Sequence, residues 1–565
     1  MAEWDVLVVG SGFGGSVAAL RASEKGYRVL VAEAGRRFAD HELPRTNWDA
    51  RSYLWAPSLG CYGVQRIDLL KHVMVLSGAG VGGGSLVYAN TLYRPLDAFY
   101  DDAQWRHITD WKAELDPYYD QATRMLGVVE NPELTAADEA CRVVAAQMGV
   151  EHTFGRTPVG VLFGERPGEA VSDPFFGGVG PTRTTCTFCG GCMTGCRVGA
   201  KNTLVKNYLY LAEQAGARVA PLTTVDVVRP RAGGGYDVEL VRTNGRGLPG
   251  TRRSVTADQV VFAAGAMGTQ RLLLRMQAEG HLPGLSRRLG HLFRTNSEAL
   301  LGVETFDTDP DHSWGVAITS SFHPDHETHV EPVRFGKGAN AMYLLSSLLV
   351  EGNQPGQDGP PRWRRFLAEL ARDPSEVVRV PWVRRMSERG FVVLVMQSRD
   401  NSLTVSLGRG LTGRAKLVTA EGHGESNPSW IPLGHEATRR LAEHLGGRPR
   451  GSWPEVVDIP ATAHILGGAP IGDCVETGVV DGWQRVYGHP GLHVTDGAAV
   501  SANLGVNPSL TITAQAERAL SFWPNKGQPD PRPPLGTDYR QVAPVHPVHA
   551  VVPADAPGAL RLATA

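Results

Sequence analysis

The run Gly10-Ser11-Gly12-Phe13-Gly14-Gly15 constrains this chain more than any other segment, because of what stands on either side of it. Asp5 to Val9 alternates into a buried strand, Ser16 to Lys25 reads as a helix, and Arg28 to Ala32 reads as a second strand. In that context the glycines form the turn of a βαβ unit that binds a dinucleotide. Gly10 permits the tight turn, Gly12 lets backbone approach a pyrophosphate at the helix N-terminus, and Gly15 lets the helix pack on the strand. Glu33 follows the second strand, where a carboxylate accepts hydrogen bonds from a ribose hydroxyl. No second fingerprint of this kind occurs downstream, so the expected dinucleotide is FAD rather than NAD.

A second glycine-rich run, Ser77 to Val87, contains Gly82, Gly83, Gly84 and Ser85 and is flanked closely by apolar residues. Such runs turn backbone N–H groups toward phosphate or flavin oxygens. The C-terminal part holds Thr-Ala-His464-Ile465, then Asp496-Gly497, then Gly505-Val506-Asn507-Pro508. Asn507 before Pro508 predicts a helix start, with Asn507 as the cap and the helix running on through Ala519. The partial positive charge at that end suits the N1/O2 edge of a flavin, which becomes anionic on reduction. His464 is the candidate proton acceptor beside it.

These pieces lie hundreds of residues apart and have to meet, so the domains are interleaved. The expected class is α/β: a Rossmann-like FAD-binding domain from residues 1–100, 200–290 and 460–523, interleaved with a substrate domain over 291–459 built on an antiparallel sheet plus helices. Val260 to Ala264 reads as a buried strand followed by a turn and helix from Gly265 to Met276. Phe391 to Gln397, a turn at Asp400-Asn401, and Leu403 to Leu407 predict a β-hairpin in the substrate sheet. Residues 101–199 form a cap or insert, and the proline-rich 524–565 is a surface strap or disordered.

The GSGFGGS run, the Glu33-Ala34-Gly35 turn, the GVGGGSL loop, Ala263 to Thr269, and the His464, Asp496 and Asn507 motifs together resemble the glucose–methanol–choline (GMC) flavoenzymes, and within them the bacterial cholesterol oxidase branch. The resemblance runs from Asp5 to about Pro553. It implies non-covalent FAD contacted by Phe13, Gly14, Ala34, Tyr88, Asn90, Val225, Gly265, Asp496, Gly497, Asn507 and Pro508 in addition to the glycines above. It also implies hydride transfer from a secondary alcohol to flavin, with His464 and Asn507 holding the hydroxyl. In steroid-oxidising members a glutamate moves a proton so that the β,γ-enone becomes conjugated, and Glu331 in His329-Val330-Glu331-Pro332-Val333 matches it. The chain departs from the pattern at Ile465, where proline is usual, and at Tyr88, which takes the place of asparagine with Asn90 two positions on. The implied substrate is a bulky 3β-hydroxysteroid such as cholesterol. Another large lipid or polyketide alcohol, or redox-neutral isomerisation by Glu331 and His464, remains an alternative.

Four of seven cysteines fall in Cys186-Thr-Phe-Cys189-Gly-Gly-Cys192-Met-Thr-Gly-Cys196. This C-x2-C-x2-C-x3-C spacing is that of bacterial iron–sulfur ferredoxins, with Arg197 where proline is usual. In two-cluster ferredoxins the fourth cysteine serves the other cluster, so Cys196 or a remote cysteine closes the site, or the cluster has one iron fewer. A zinc site, disulfides and a cofactor-free loop are the other readings of the run. A cluster would give electrons a one-electron exit toward a quinone or carrier protein.

A net charge of −2 argues against a nucleic-acid partner, and no apolar run is long enough to span a bilayer. The first strand begins within a few residues of Met1, so a cytoplasmic location is expected. Arg362-Trp363-Arg364-Arg365-Phe366 through Trp382-Val383-Arg384-Arg385 mixes basic and aromatic residues in two helical pieces broken at Pro374 and Pro381, a pattern suited to a peripheral membrane surface.

Overall fold

Trp4–Val9 is apolar on both faces because it lies inside a sheet covered on both sides: Val6, Leu7 and Val8 are fully buried. In this computed structural model, which describes residues 2–243, 252–353, 359–379, 382–410 and 415–562, the strand pairs in parallel with Val29–Ala32 on one side and Arg252–Phe262 on the other. Arg218–Ala220 adds beyond Val29–Ala32, and Leu492–Val494 pairs in parallel with the end of Arg252–Phe262. The start of that long strand turns instead to an antiparallel partner, Tyr236–Arg242, which pairs in turn with Thr223–Pro230. One sheet thus gathers segments from both ends of the chain.

The helix Phe13–Glu24 follows the first strand and is buried along its whole length. It packs against the C-terminal helix Ser509–Ser521, which also meets Trp111–Met125. Arg21 and Glu517 join the first pair through two hydrogen bonds of 2.7 and 2.8 Å. Residues 524–562 form the strap of the two expected outcomes: His549 donates its backbone N–H to the carbonyl of Glu24, and Val552, Ala556 and Ala559 are buried.

A second, five-stranded antiparallel sheet runs in the order Thr328–Val333, Gly390–Gln397, Ala299–Glu304, Arg448–Ser452, Ser346–Leu348. Its side chains alternate. Val303, Val393 and Val395 pack into a core with the helices Ala136–Gln147 and Pro432–His444, while Leu300, Val333, Val392 and Leu394 face a cavity on the other side.

The hairpin expected between 391–397 and 403–407 does not form. Both strands exist, but Gly390–Gln397 pairs within the five-stranded sheet and Asn401–Arg409 pairs with Ala415–Gly424. Alternation marks a strand without naming its partner. Here the chain is diverted at the turn, where Arg294, fully buried, bonds the Asp400 carboxylate and the Asn401 carbonyl. The basic–aromatic segment contains the helix Arg362–Arg372, with Trp363 and Leu367 exposed one turn apart and Trp382 exposed beyond; Pro381 lies outside the described residues. Among the described residues no helix is long and apolar enough to cross a membrane.

Candidate active site and its flavin cradle

A cavity of about 500 Å³ lies between the two sheets. Gly10, Gly12, Phe13, Gly14, Glu33, Ala34, Gly83, Gly84, Tyr88, Val225, Gly265, Asp496, Gly497, Asn507, Pro508 and His464 all line it, although they come from opposite ends of the chain. Gly10 takes φ of +99° where the strand turns into the helix. Gly83, at φ +52°, lies so close to the first glycine loop that a Cβ there would sit 2.7 Å from Cα of Gly12. The two glycine runs are therefore in backbone contact. Ser11 fastens them, its hydroxyl accepting from the N–H of Gly82 at 3.0 Å and donating to Glu33 at 2.7 Å.

Glu33 is buried and already accepts from the backbone N–H of Ser11 and of Gly35. Burial raises its pKa, against the pull of these bonds. Its carboxylate thus shapes the turn as well as facing the cavity. Gly15, Gly82, Ser85 and Asn90 stand behind the lining. A Cβ on Gly15 would strike the Gly10 carbonyl at 2.1 Å, which is the close helix–strand packing expected of it. Ser85 bonds the Gly82 carbonyl and the Leu204 N–H, and Asn90 lies against Cys192.

His464 and Asn507 meet at one end of this cavity. Nδ1 of His464 is 3.1 Å from Oε2 of Glu298, whose side chain is completely buried. Because a carboxylate only accepts, the ring donates its Nδ1–H there and presents the lone pair of Nε2 to the cavity. The same carboxylate oxygen accepts from Thr462 Oγ1 at 2.6 Å and from the N–H of Ala463 at 3.1 Å. Nδ2 of Asn507 lies 3.5 Å from Nε2 of His464 and donates to Oε2 of Glu331 at 3.3 Å.

The expected helix cap is not made by Asn507. The helix begins at Ser509 with Pro508 before it and no side-chain capping bond. The Asn507 amide instead turns toward Glu331, and its Oδ1 is buried without a protein partner. That orphaned oxygen is what a substrate hydroxyl or a flavin N–H would satisfy.

Glu331 does not line the cavity; it stands behind Asn507 on the strand Thr328–Val333, fully buried. Burial pushes its pKa up to about 8, the Asn507 bond lowers it, and the nearby Glu298 carboxylate raises it. Beside it His329 is 4.0 Å away, fully buried with neither ring nitrogen bonded to protein, stacked on His323 at 4.5 Å between ring centroids. Burial holds His329 well below its usual pKa, and so neutral. Asp496, bonded to Thr269 Oγ1 at 2.6 Å and to the Ala498 N–H, is raised by burial to about 6.

Glu298 is the residue that sequence reasoning missed. It follows Asn296 and Ser297, both non-glycine residues at positive φ. Asn296 accepts from the N–H groups of Leu504 and Gly505 and donates to the Val506 carbonyl, so the turn that presents Glu298 also fixes the loop that presents Asn507. No local pattern announces either role.

All seven cysteines are free thiols, so the disulfide reading of the run fails. Cys186, Cys189, Cys192 and Cys196 line one small cavity of their own. Among the described residues no group of three or more His, Cys, Asp and Glu side chains converges to hold a metal ion. The zinc alternative, which needs four ligands on one ion, therefore lacks its ligand set.

Comparison with known proteins decides the family. GMC oxidoreductase models match residues 181–289 and 446–516, and an FAD binding domain model matches residues 5–42. A cholesterol oxidase of Mycobacterium tuberculosis (strain ATCC 25618 / H37Rv) is 58% identical over 565 residues, covering 99% of this chain and 98% of the relative. The chain is a GMC oxidoreductase. A cholesterol oxidase of Acinetobacter baumannii is 41% identical, covering 93% of this chain and 95% of that one. In fold alone the chain is similar to pyridoxine 4-oxidase from Mesorbium loti, with a TM-score of 0.56 at 16% identity, over 92% of this chain and 98% of that chain. The GMC enzyme is FAD-dependent, and its cradle fits that cofactor: two glycine runs in contact, a helix N-terminus at Phe13 and an unpartnered Asn507 oxygen face one continuous cavity.

Proposed function

We propose that this enzyme oxidises the 3β-hydroxyl of a sterol such as cholesterol to the ketone, and that Glu331 then moves the double bond into conjugation. The observation that carries the reading is the pairing of His464 Nε2, met within the protein only by the Asn507 amide at 3.5 Å, with a cavity lined also by the apolar Leu300, Ile318, Val333, Phe335, Val392 and Leu394. A rigid apolar alcohol fits such a lining, with its one polar group delivered to the histidine. The full-length likeness to two cholesterol oxidases supports the same substrate class.

Nε2 of His464 accepts the hydroxyl proton, and Glu298 stabilises the imidazolium that results. Asn507 holds the hydroxyl in line. Bound in the cradle, FAD supplies the acceptor for the carbinol hydride. For isomerisation, Glu331 stands behind Asn507 rather than on the cavity lining, so its carboxyl, with a pKa near 8, takes and returns a proton when the Asn507 amide moves aside for the sterol ring. Asn507 links the two tasks, since its amide touches both His464 and Glu331.

Trp363, Leu367 and Trp382, exposed among arginines, support contact with an anionic membrane from which a sterol would be drawn. The test of the substrate is a panel of 3β-hydroxysteroids, their 3α-epimers and long-chain secondary alcohols under anaerobic conditions. The sterol reading requires flavin bleaching by the 3β-epimers and little by the others; equal bleaching by the long-chain alcohols would favour another lipid substrate.

A further inference from the structure

We propose that Cys186, Cys189, Cys192 and Cys196 carry an iron–sulfur cluster placed between the flavin cradle and the protein surface, as the one-electron exit of the enzyme. The four thiols surround one cavity, closed on the remaining sides by Val161, Val198, Ala200, Lys201 and Gly315. They do not converge as ligands of a single ion do. A cluster takes each thiolate on a different iron, and so leaves its sulfurs spread around a cavity rather than drawn to a point. Cys61, Cys141 and Cys474 are absent from this lining, so Cys196 closes the same site as the other three.

The loop is wound to bring the sulfurs inward. Phe188 and Cys196 take φ of +56° and +67°, and Gly190 and Gly195 are also positive. Non-glycine residues hold such conformations only where the surroundings over-determine them. Backbone N–H groups of Phe188 and Lys201 point at the sulfurs of Cys186 and Cys196, at 3.3 and 3.4 Å. Hydrogen bonds to ligand sulfurs are a principal means by which proteins tune cluster potentials. Asn90 is the second signal. Its fully buried side chain hydrogen-bonds the Cys192 sulfur, a third polar contact to a sulfur of the run.

The position suits electron transfer in both directions. On the inner side Lys201 donates to the carbonyls of Leu86, Tyr88 and Cys192, which ties the second glycine run to the cysteine loop; Met193, next to Cys192, lines the flavin cavity itself. On the outer side Cys189 is exposed, and Phe163, Phe188 and Trp314 stack in sequence out to a half-exposed Trp314. Oxidation of one alcohol to a ketone releases two electrons and two protons. A quinone that takes up both of each becomes a quinol, and a one-electron centre at this cavity hands the electrons on singly.

The full-length protein is purified anaerobically and assayed for iron, zinc, acid-labile sulfide and FAD, with low-temperature paramagnetic resonance before and after dithionite. The expected result is about four irons and four sulfides per chain, as a four-cysteine cubane requires, and a resonance that is lost in Cys192→Ser and in Cys189→Ser. Both variants keep FAD and its anaerobic bleaching by sterol, which separates this proposal from the substrate reading. Absence of iron and sulfide in the wild type, before and after incubation with ferrous iron and sulfide, would overturn it without any variant being made. So would stoichiometric zinc.

Discussion

Oε2 of Glu298 lies 3.1 Å from Nδ1 of His464 across 166 residues of sequence, and that contact fixes which nitrogen faces the substrate. With the carboxylate removed, the ring loses both its orientation and the charge that stabilises its protonated form. Glu298→Gln is therefore expected to lower kcat by roughly 10²-fold or more, in the range of general-base contributions, with KM and FAD content little changed. Steady-state kinetics with a soluble 3β-hydroxysteroid check this.

Glu331 should separate the two chemical steps. In Glu331→Gln, oxidation persists and the unconjugated ketone accumulates, which is read from the ultraviolet absorbance of the conjugated enone against ketone formed. In the wild type, isomerisation that begins with the ionised carboxylate rises with pH through about 8, while oxidation does not follow that titration.

The same residue links pH to stability. Its folded pKa of about 8 is above the ordinary 4.5, so the folded state binds this proton more tightly than the unfolded chain does. Its contribution is fully present below pH 4.5 and is lost as pH rises toward 8, at roughly 1.4 kcal/mol for each pH step of one between those two values. Glu331→Gln removes that loss. Its melting temperature is expected to exceed that of the wild type at pH 9 by more than it does at pH 5, as calorimetry at both pH values would record.

Much of the cradle was legible because its signals are local. The turn from Gly10 to Gly15, the flanking strands and Glu33 lie within about thirty residues and dictate one another's geometry. Asn507 was half legible: Asn-Pro correctly marks a helix start, yet the side chain is drawn away from the cap by Glu331, 176 residues earlier. Glu298 was not legible, since its function exists only where Thr462, Ala463 and His464 close around it. The strands at 391–397 and 403–407 were read as strands but given the wrong partners, because period-2 alternation carries no pairing information.

Gly83 has no room for a methyl group against Gly12 and holds a left-handed backbone. Gly83→Ala should separate the two glycine loops and reduce bound FAD well below one per chain, measured as flavin absorbance against protein after gel filtration.

The exposed apolar residues of the arginine-rich helix give a prediction away from the chemistry. Trp363→Ala combined with Leu367→Ala should weaken sedimentation with anionic vesicles and leave turnover of a soluble steroid unchanged.

The most direct test of the account is rapid mixing of anaerobic enzyme with a 3β-hydroxysteroid while flavin absorbance is followed, in the wild type and in His464→Ala with FAD retained. Proton removal by His464 predicts prompt bleaching in the wild type and bleaching slower by about 10²- to 10⁴-fold in the variant. Equal rates in the two proteins would contradict it.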